Sequence, residues 1–277
     1  MMNTGESKIK LKKIYFMLLM IVFILLLNGC SILKTALYHE YVVKEYVGTA
    51  SVEQEKILES DSLEKSGKSD EKKKYVVVFH GIYGTFKDME IIAGNLEKEG
   101  YHVVSIQYPT NEDSIEVISE KYIKPVIDSL EKDREVNFIV HSMGSGILRY
   151  YLKNNKVENL GKVTFISPPS HGSGLSDNPV AKMLKNPLGE AVGQFSTKED
   201  SFINLLGEPD YPCYIIIGNK SNNFLYSAMI KGKDDGMVPL ATSRLESCDY
   251  KVIESTTHTS ILKDQRTIKE IKDYLSR

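Results

Sequence analysis

One serine constrains the fold of this chain more than any other residue. Ser142 follows a strand-like run at 136–139 and precedes a helix-like run at 147–152. A serine on such a sharp strand-to-helix turn holds its Oγ above the edge of a parallel sheet, where it can act as a nucleophile. The strained turn favours small neighbours, so Gly144 fits, whereas Val140 stands where a glycine is usual. The alternative interpretation is a serine that caps the following helix.

A second strand-like run, at 75–79, ends in the dipeptide His80–Gly81. Glycine at such a turn lets the backbone approach a substrate closely and supply a hydrogen-bond donor to an oxyanion. The predicted donors are the backbone N–H groups of Ile82 and of Met143, the residue after the serine. The His80 side chain is expected to position the loop and to take no part in catalysis. An ordinary turn at a strand end is the alternative.

An acid and a histidine follow the serine in the order that a Ser–Asp–His hydrolase requires. Asp235 lies in a polar turn after the strand-like run at 214–217, and its acid-x-x-Val spacing favours it over the alternative acid, Asp234. His258 lies beyond the strand-like run at 250–253. A general base at that position can reach both the serine and the acid that orients its imidazole.

The remaining histidines are predicted to be structural or solvent-exposed. His171 follows a strand beyond the serine and is expected near the mouth of the site, but it precedes the acid and is a poor candidate base. The others are His39, His102 and His141. The sequence contains no HExxH, paired CxxC, carboxylate-rich loop or Gly-rich phosphate loop, so neither a metal ion nor another cofactor is expected.

These motifs resemble those of bacterial α/β-hydrolases of the compact esterase or lipase type. The similarity is carried by five segments in the right order, at 77–81, 138–144, 166–173, 235–239 and 257–259. The resemblance implies an α/β-hydrolase fold, with Ser142, Asp235 and His258 as the catalytic triad. Val140 and Ser145 depart from the usual glycine pattern around the serine.

The alternation of strand-like and helix-like segments also predicts a mostly parallel sheet with helices on both faces. We expect strands at 75–80, 102–107, 136–141, 162–166, 213–218 and 250–254, and helices at 86–99, 113–131, 144–154 and 264–276. Residues 37–47 are apolar enough to form a helix or strand that packs on this body. Residues 172–210 break the alternation, and we expect either a lid or acyl-pocket wall, or a plain pair of surface helices.

The N-terminal segment is predicted to direct export. Four lysines precede a 14-residue apolar run, which is shorter than the ~20 residues a membrane-spanning helix needs. The run leads into Leu27-Asn28-Gly29-Cys30, which resembles the bacterial lipobox. We therefore expect a lipoprotein signal peptide at 1–29, lipid on Cys30, a polar tether at 30–74 and the hydrolase domain at 75–277. An uncleaved anchor is the alternative, and both place the domain on the extracytoplasmic face of a bacterial membrane.

Charge and cysteine content limit the partners of the chain. The formal net charge is −2, and the predicted leader carries four lysines against one glutamate, so the mature chain is more acidic. Because no basic cluster lies outside the leader, nucleic acid is not an expected partner. With lipid on Cys30, Cys213 and Cys248 remain. Cys213 is predicted to be a buried thiol, with a single bridge to Cys248 as the alternative.

The sequence therefore favours a serine hydrolase that cleaves a small-molecule or lipid ester. Ser142 would attack the carbonyl, His258 would take and return the proton, and Asp235 would hold the imidazole. One alternative is an acyltransferase or thioesterase, which differs only in the acceptor. Another is a non-catalytic, surface-anchored binding protein on a hydrolase scaffold. A binding protein would be expected to have lost a member of the triad, and all three are present.

Overall fold

One eight-stranded sheet organises the part of the chain that the structure describes. The computed structural model describes residues 42–47, 50–54, 73–177, 189–222, 227, 230 and 232–277. The strands are β1 (Val42–Val47), β2 (Ala50–Gln54), β3 (Tyr75–Phe79), β4 (His102–Gln107), β5 (Val136–His141), β6 (Leu160–Ile166), β7 (Cys213–Gly218) and β8 (Asp249–Ile253). The helices are α1 (Glu90–Lys98), α2 (Ile115–Ile118), α3 (Lys124–Ser129), α4 (Gly144–Asn154), α5 (Gly174–Asp177), α6 (Glu190–Gly193), α7 (Phe202–Leu205), α8 (Leu240–Ser243) and α9 (Gln265–Ser276).

The order of the strands places the ends of β3 and β5 side by side. The sheet runs β2-β1-β4-β3-β5-β6-β7-β8, with β3 to β8 parallel and the β1–β2 hairpin antiparallel. From β3 the chain continues into β4 on one side, whereas β5 lies on the other side. Ligands of open α/β sheets bind at such a reversal, beyond the carboxyl ends of the strands. Phe79 and Val140 are register partners there, so the loop at 80–84 and the turn at 142–143 start next to each other.

Alternating side chains on the central strands form two cores. On β3, Val77 and Phe79 belong to a core covered by α2, α3 and α4, whereas Val76 and Val78 belong to a second core covered by α1 and α9. Successive residues of a strand point to opposite faces, so a strand buried on both faces must be apolar at nearly every position. This requirement explains the uninterrupted apolar run at 75–79.

The six predicted strands are all present and differ from their predicted bounds only at the ends. The helix predicted at 113–131 is instead two short helices joined by a π-helical turn at Ser119–Ile123. The turn precedes Pro125, which has no backbone N–H and cannot continue a regular hydrogen-bond ladder. Upstream, β1 pairs with β4 and β2 pairs with β1. The sheet thus begins inside the segment predicted as a tether, ahead of the domain boundary expected at residue 75.

The cysteine prediction was wrong. Cys213 and Cys248 form a disulfide, with their Cα atoms 4.8 Å apart. Cys213 begins β7, and Cys248 immediately precedes β8, whose first residue is the register partner of Tyr214. Parallel pairing of β7 with β8 therefore brings the two thiols to bonding distance, although they are 35 residues apart in the chain.

Candidate active site

Ser142 occupies a strained turn between β5 and α4. Its φ angle is 53°, in the left-handed region that non-glycine residues seldom adopt. Such a conformation costs on the order of 1–3 kcal/mol and persists only where its surroundings hold it. Here the Ser142 N–H donates to the Ile166 carbonyl at 2.9 Å, which ties the turn to the neighbouring strand. The side chain is almost fully buried, at 5% exposure.

Two glycines allow the loops around Ser142 to lie this close. A Cβ on Gly144 would stand 2.9 Å from the His80 carbonyl oxygen and 3.0 Å from the Phe79 Cβ. A Cβ on Gly81 would stand 2.8 Å from the Ser142 Cβ. Val140, in contrast, is fully buried in the core that α4 covers. The first glycine of the usual pattern is unnecessary here because a core pocket accepts the valine side chain.

The three predicted triad side chains form one hydrogen-bonded chain. His258 Nδ1 lies 2.9 Å from Asp235 Oδ2, and His258 Nε2 lies 2.8 Å from Ser142 Oγ. An ionised carboxylate only accepts hydrogen bonds, so Nδ1 carries the proton and Nε2 is left to accept the Ser142 hydroxyl. All three residues are buried. This arrangement lets His258 remove the serine proton while Asp235 holds the imidazole.

The acid turn keeps Asp235 ionised in the protein interior. Burial raises the pKa of the Asp235 carboxyl, but the positive charge of His258 when protonated, its hydrogen bond and the Val238 N–H together lower that pKa below its ordinary value. Asp235 Oδ1 accepts from the N–H groups of Met237 at 3.0 Å and Val238 at 2.8 Å. The neighbouring Asp234 has other partners, since its Oδ1 accepts from Ser227 Oγ and the Gly236 N–H. Of the two candidate acids, the structure places Asp235 beside the histidine.

The peptide between Ser142 and Met143 is fixed by hydrogen bonds to its carbonyl oxygen, and these orient its N–H group, the predicted Met143 donor. The Ser142 carbonyl accepts from the Ser145 N–H at 3.0 Å and the Ser145 hydroxyl at 2.7 Å. The described peptide bonds are all trans, so the N–H of Met143 points away from the fixed Ser142 carbonyl. Ser145, which replaces a common glycine, thus has a local role in holding this peptide plane.

The peptide between Gly81 and Ile82 is held in the same way. The Gly81 carbonyl accepts from the Gly84 N–H at 3.0 Å and from His80 Nδ1 at 2.8 Å. The N–H of Ile82 therefore points to the opposite side. Among the described residues, neither this N–H nor that of Met143 has an acceptor. Both predicted oxyanion donors are free to bind a developing negative charge beside Ser142.

His80 is a buried structural residue of the loop at 80–84, the predicted oxyanion loop. Its Nε2 accepts from the Tyr108 N–H at 3.2 Å, so its Nδ1 is the nitrogen that donates to Gly81. Burial lowers the pKa of His80 to about 4, which keeps the ring neutral at physiological pH. The ring also stacks on Tyr108 with 4.2 Å between centroids. These contacts agree with the predicted role in positioning the loop.

The sequence reasoning missed the contact of His141 with His258, the predicted base. This residue precedes the serine, and its Nε2 lies 2.9 Å from the backbone carbonyl oxygen of His258. Its ring is buried at 6% exposure and lies 4.8 Å from the ring of His258. The signal that could have found it is its place at the carboxyl end of a central strand, where side chains face the site.

Two other histidines have partners away from the triad. His102 Nε2 lies 3.3 Å from Glu45 Oε2, between β4 and β1. His171 Nδ1 lies 2.8 Å from Asn204 Oδ1, and the His171 N–H donates to the Thr242 carbonyl. These bonds give both residues structural roles, and the expected position of His171 at the site mouth stays a prediction.

Three apolar residues of the insertion at 172–210 lie in the core. Ala191, Phe195 and Ile203 are buried in the core that includes α4. The Phe195 ring lies against Gly146 so closely that a Cβ there would stand 2.8 Å from the ring. The Phe195 contact agrees with the alternative of a plain helix pair, because the absence of a side chain at Gly146 creates a slot that the ring fills.

A buried arginine joins this insertion to the helix after the serine. Arg149 of α4 donates to the backbone carbonyls of Ser170 and Gly207, each at 2.8 Å, and to that of Ile203 at 3.3 Å. Burial lowers the pKa of its guanidinium to about 10, so it remains charged at neutral pH. The cation thus bonds to a carbonyl just before the insertion, at Ser170, and to two near its end, at Ile203 and Gly207, and so joins α4 to both ends of the insertion.

Several predicted features lie outside the described residues. They are the signal peptide at 1–29, lipidated Cys30, His39 and residues 178–188 of the insertion. Within the described ranges, no helix has the length and apolar character to cross a bilayer. The same ranges contain no group of three or more His, Cys, Asp or Glu side chains arranged to hold a metal ion.

Comparison with solved structures identifies the fold. The mature lipase BlEst2 of Bacillus licheniformis is 20% identical, with a TM-score of 0.59 over 76% of this chain and 96% of the lipase. The chain has the α/β-hydrolase fold. Phospholipase PlaB of Legionella pneumophila is 15% identical, with a TM-score of 0.57 over 73% of this chain and 64% of that protein. The α/β-hydrolase MGS-MChE2, from a metagenome of lagoon sediments, is 17% identical, with a TM-score of 0.51 over 77% of this chain and 96% of that one.

The comparison with protein families matches a shorter part of the chain than the comparison with solved structures. The family described as "Putative serine esterase (DUF676)" matches residues 69–170. The matched segment contains the predicted oxyanion loop and Ser142, but neither Asp235 nor His258. No curated protein matched the sequence.

Proposed function

We propose that this protein is a serine hydrolase that cleaves carboxylic esters. The observation that carries the proposal is the buried chain of hydrogen bonds from Asp235 through His258 to Ser142. Ser142 itself lies in a strained turn at the carboxyl end of the central strand β5. A serine that only capped α4 would need neither the left-handed backbone nor a histidine on its hydroxyl. The match of residues 69–170 to a serine esterase family supports the same reaction class.

The proposed reaction has two halves. Ser142 Oγ forms a bond to the ester carbonyl carbon while its proton passes to His258 Nε2, and the carbonyl π electrons move to the oxygen. The N–H groups of Ile82 and Met143 stabilise this oxyanion, each donor contributing about 10²–10³ in rate. Collapse of the intermediate breaks the ester C–O bond, and His258 gives its proton to the leaving alkoxide. Water then repeats the sequence on the acyl-enzyme and releases the acid.

Asp235 matters at the moment when His258 carries two protons. The imidazolium that forms during attack is a buried cation, which is costly without an opposite charge. Because its pKa is lowered, Asp235 remains ionised and supplies that charge 2.9 Å from His258 Nδ1. Its backbone N–H bonds keep the other carboxylate oxygen occupied, so the acid has one orientation.

We further propose that the substrates are acyl or lipid-like esters. A lipase and a phospholipase share the fold with this chain, which motivates the proposal. The test is a series of p-nitrophenyl esters with acyl chains from two to twelve carbons. A preference for long chains supports the lipid-like class, because each buried methylene contributes up to ~0.8 kcal/mol. Activity confined to the shortest esters would contradict it.

The location is proposed as the extracytoplasmic face of a bacterial membrane, with lipid on Cys30. The lipobox-like segment ending at Cys30 motivates this proposal. The Cys213–Cys248 bridge supports it, because disulfides form and persist mainly in oxidising compartments. Mass spectrometry of the membrane-extracted protein should find a diacylglyceryl adduct on an N-terminal Cys30, and Cys30→Ala should lack it. An intact N-terminus at Met1 would favour the uncleaved anchor.

A fluorophosphonate probe tests the hydrolase proposal directly, since the probe reacts with an activated serine and not with ordinary hydroxyls. We expect the native full-length chain to be labelled on the peptide that contains Ser142. Ser142→Ala should lose both the label and hydrolysis of short p-nitrophenyl esters while keeping the wild-type Tm. Heat-denatured protein is the control for nonspecific labelling. A folded Ser142→Ala variant that kept most of the wild-type activity would contradict the assignment of Ser142 as the nucleophile.

A further inference from the structure

His258 is held by its main chain as well as by its side chain. Its backbone N–H donates to the Asp235 carbonyl at 2.7 Å, and its carbonyl oxygen lies 2.9 Å from His141 Nε2. The acid turn therefore contacts the histidine through one main-chain and one side-chain bond. The end of β5 and the turn after it also contact the histidine twice. Ser142 Oγ bonds to the His258 ring, and the His141 side chain bonds to the His258 carbonyl.

The protonation state of His141 follows from this contact. A carbonyl oxygen only accepts hydrogen bonds, so His141 Nε2 must carry a proton and donate it. Burial first, and the nearby His258 second, lower the pKa of His141 to about 3. The ring is therefore neutral, with its other nitrogen unprotonated on the side that faces Gly81. A neutral donor fixes the carbonyl without repelling the imidazolium that forms on His258.

We propose that His141 is a positioning residue that fixes the base of the reaction through the main chain of His258. The inference rests on the proposed hydrolase function. The backbone of His258 belongs to neither a strand nor a helix, because β8 ends at Ile253 and the next 3-10 helix begins at Ser260. Such a segment has no ladder of its own to hold it. Misplacement of a reacting group by about 1 Å can cost on the order of 10²-fold in rate.

A matched pair of variants tests this role. Gln at position 141 can place its amide nitrogen near the Nε2 position, whereas Met has a similar length and shape but no donor. We expect His141→Met to lower kcat for a short p-nitrophenyl ester by about 10- to 100-fold, with KM within about threefold of the wild-type value. His141→Gln should recover most of the lost kcat. Equal kcat values for the two variants, or an unchanged kcat in His141→Met, would overturn the proposal.

A measurement on the wild type keeps the test valid if a variant does not fold. Imidazole ¹⁵N shifts of the full-length chain should show His141 protonated at Nε2 alone and not titrating between about pH 5 and 8. The Nδ1-protonated tautomer, or titration near the ordinary pKa of about 6.5, would contradict the geometry. Failure of the hydrolase proposal looks different, since wild-type protein would then take no fluorophosphonate label whatever the tautomer of His141.

Discussion

Replacement of Gly81 by alanine measures how tightly the predicted oxyanion loop at 80–84 packs on the turn at Ser142. The φ angle of Gly81 lies outside the left-handed region, so alanine meets no special backbone strain there. The added methyl would stand 2.8 Å from the Ser142 Cβ and 2.9 Å from His141 Nδ1. Carbon atoms rest ~3.5–4.0 Å apart, so the loop or the serine turn must move by about 0.7 Å or more.

This displacement has a cost in rate and a smaller cost in stability. A shift approaching 1 Å between reacting groups costs about 10²-fold, so we expect kcat/KM for a short p-nitrophenyl ester to fall by about 30- to 100-fold. Overpacking of a closely packed site lowers the free energy of unfolding by about 1–3 kcal/mol. The assay is steady-state hydrolysis, measured beside the Tm of the same preparation.

Gly94 provides the matched control. It lies in α1, and a Cβ there would meet no atom within 4 Å. Gly94→Ala should leave hydrolysis unchanged and raise stability by about 0.5–1 kcal/mol, because alanine favours the helix interior. If Gly81→Ala also kept its activity within a factor of about two, the inferred tight contact would be refuted, since the predicted shift requires a larger loss.

Three further predictions follow from the site and the core. Asp235→Asn should lower kcat by about 10⁴-fold and Asp234→Asn far less, and steady-state kinetics that give the reverse ranking would move the role to Asp234. Phe195→Ala should lower the free energy of unfolding by about 3–5 kcal/mol in denaturant titrations, whereas altered acyl-chain preference at unchanged stability would argue against its place in the core. Replacing Cys213 and Cys248 by alanine should cost about 2–4 kcal/mol in the same titrations, and an unchanged midpoint would speak against the bridge.

The strands were predictable because burial on both faces demands apolar residues at every position. The runs at 75–79 and 214–217 carry that signal with no help from tertiary structure. The placement of Ser142, Asp235 and His258 was also accessible, since each follows such a run and parallel strands end at one edge. The choice between Asp234 and Asp235 rested on spacing alone, and the hydrogen bond to His258 agrees with it.

Features that depend on which segments become neighbours were not accessible in the same way. The disulfide requires Cys213 to lie beside Cys248, which follows from the pairing of β7 with β8 and not from their spacing of 35 residues. The donation from His141 requires the carbonyl of a residue 117 positions away. β1 lies within the stretch at 37–47 that was predicted to pack on the domain, whereas β2 was not predicted, because an edge strand needs fewer apolar residues than a central one.

The β1–β2 hairpin has a consequence for how this domain tolerates shortening. Val103, Val104 and Ile106 of β4 are fully buried, and β1 satisfies the hydrogen-bonding groups along the outer side of that strand. A chain trimmed to residues 75–277 would leave β4 as an unpaired edge strand that carries three apolar side chains. Unprotected edges of this kind recruit strands from other molecules and lead to aggregation. By pairing with β4, β1 therefore protects the domain against self-association through that strand.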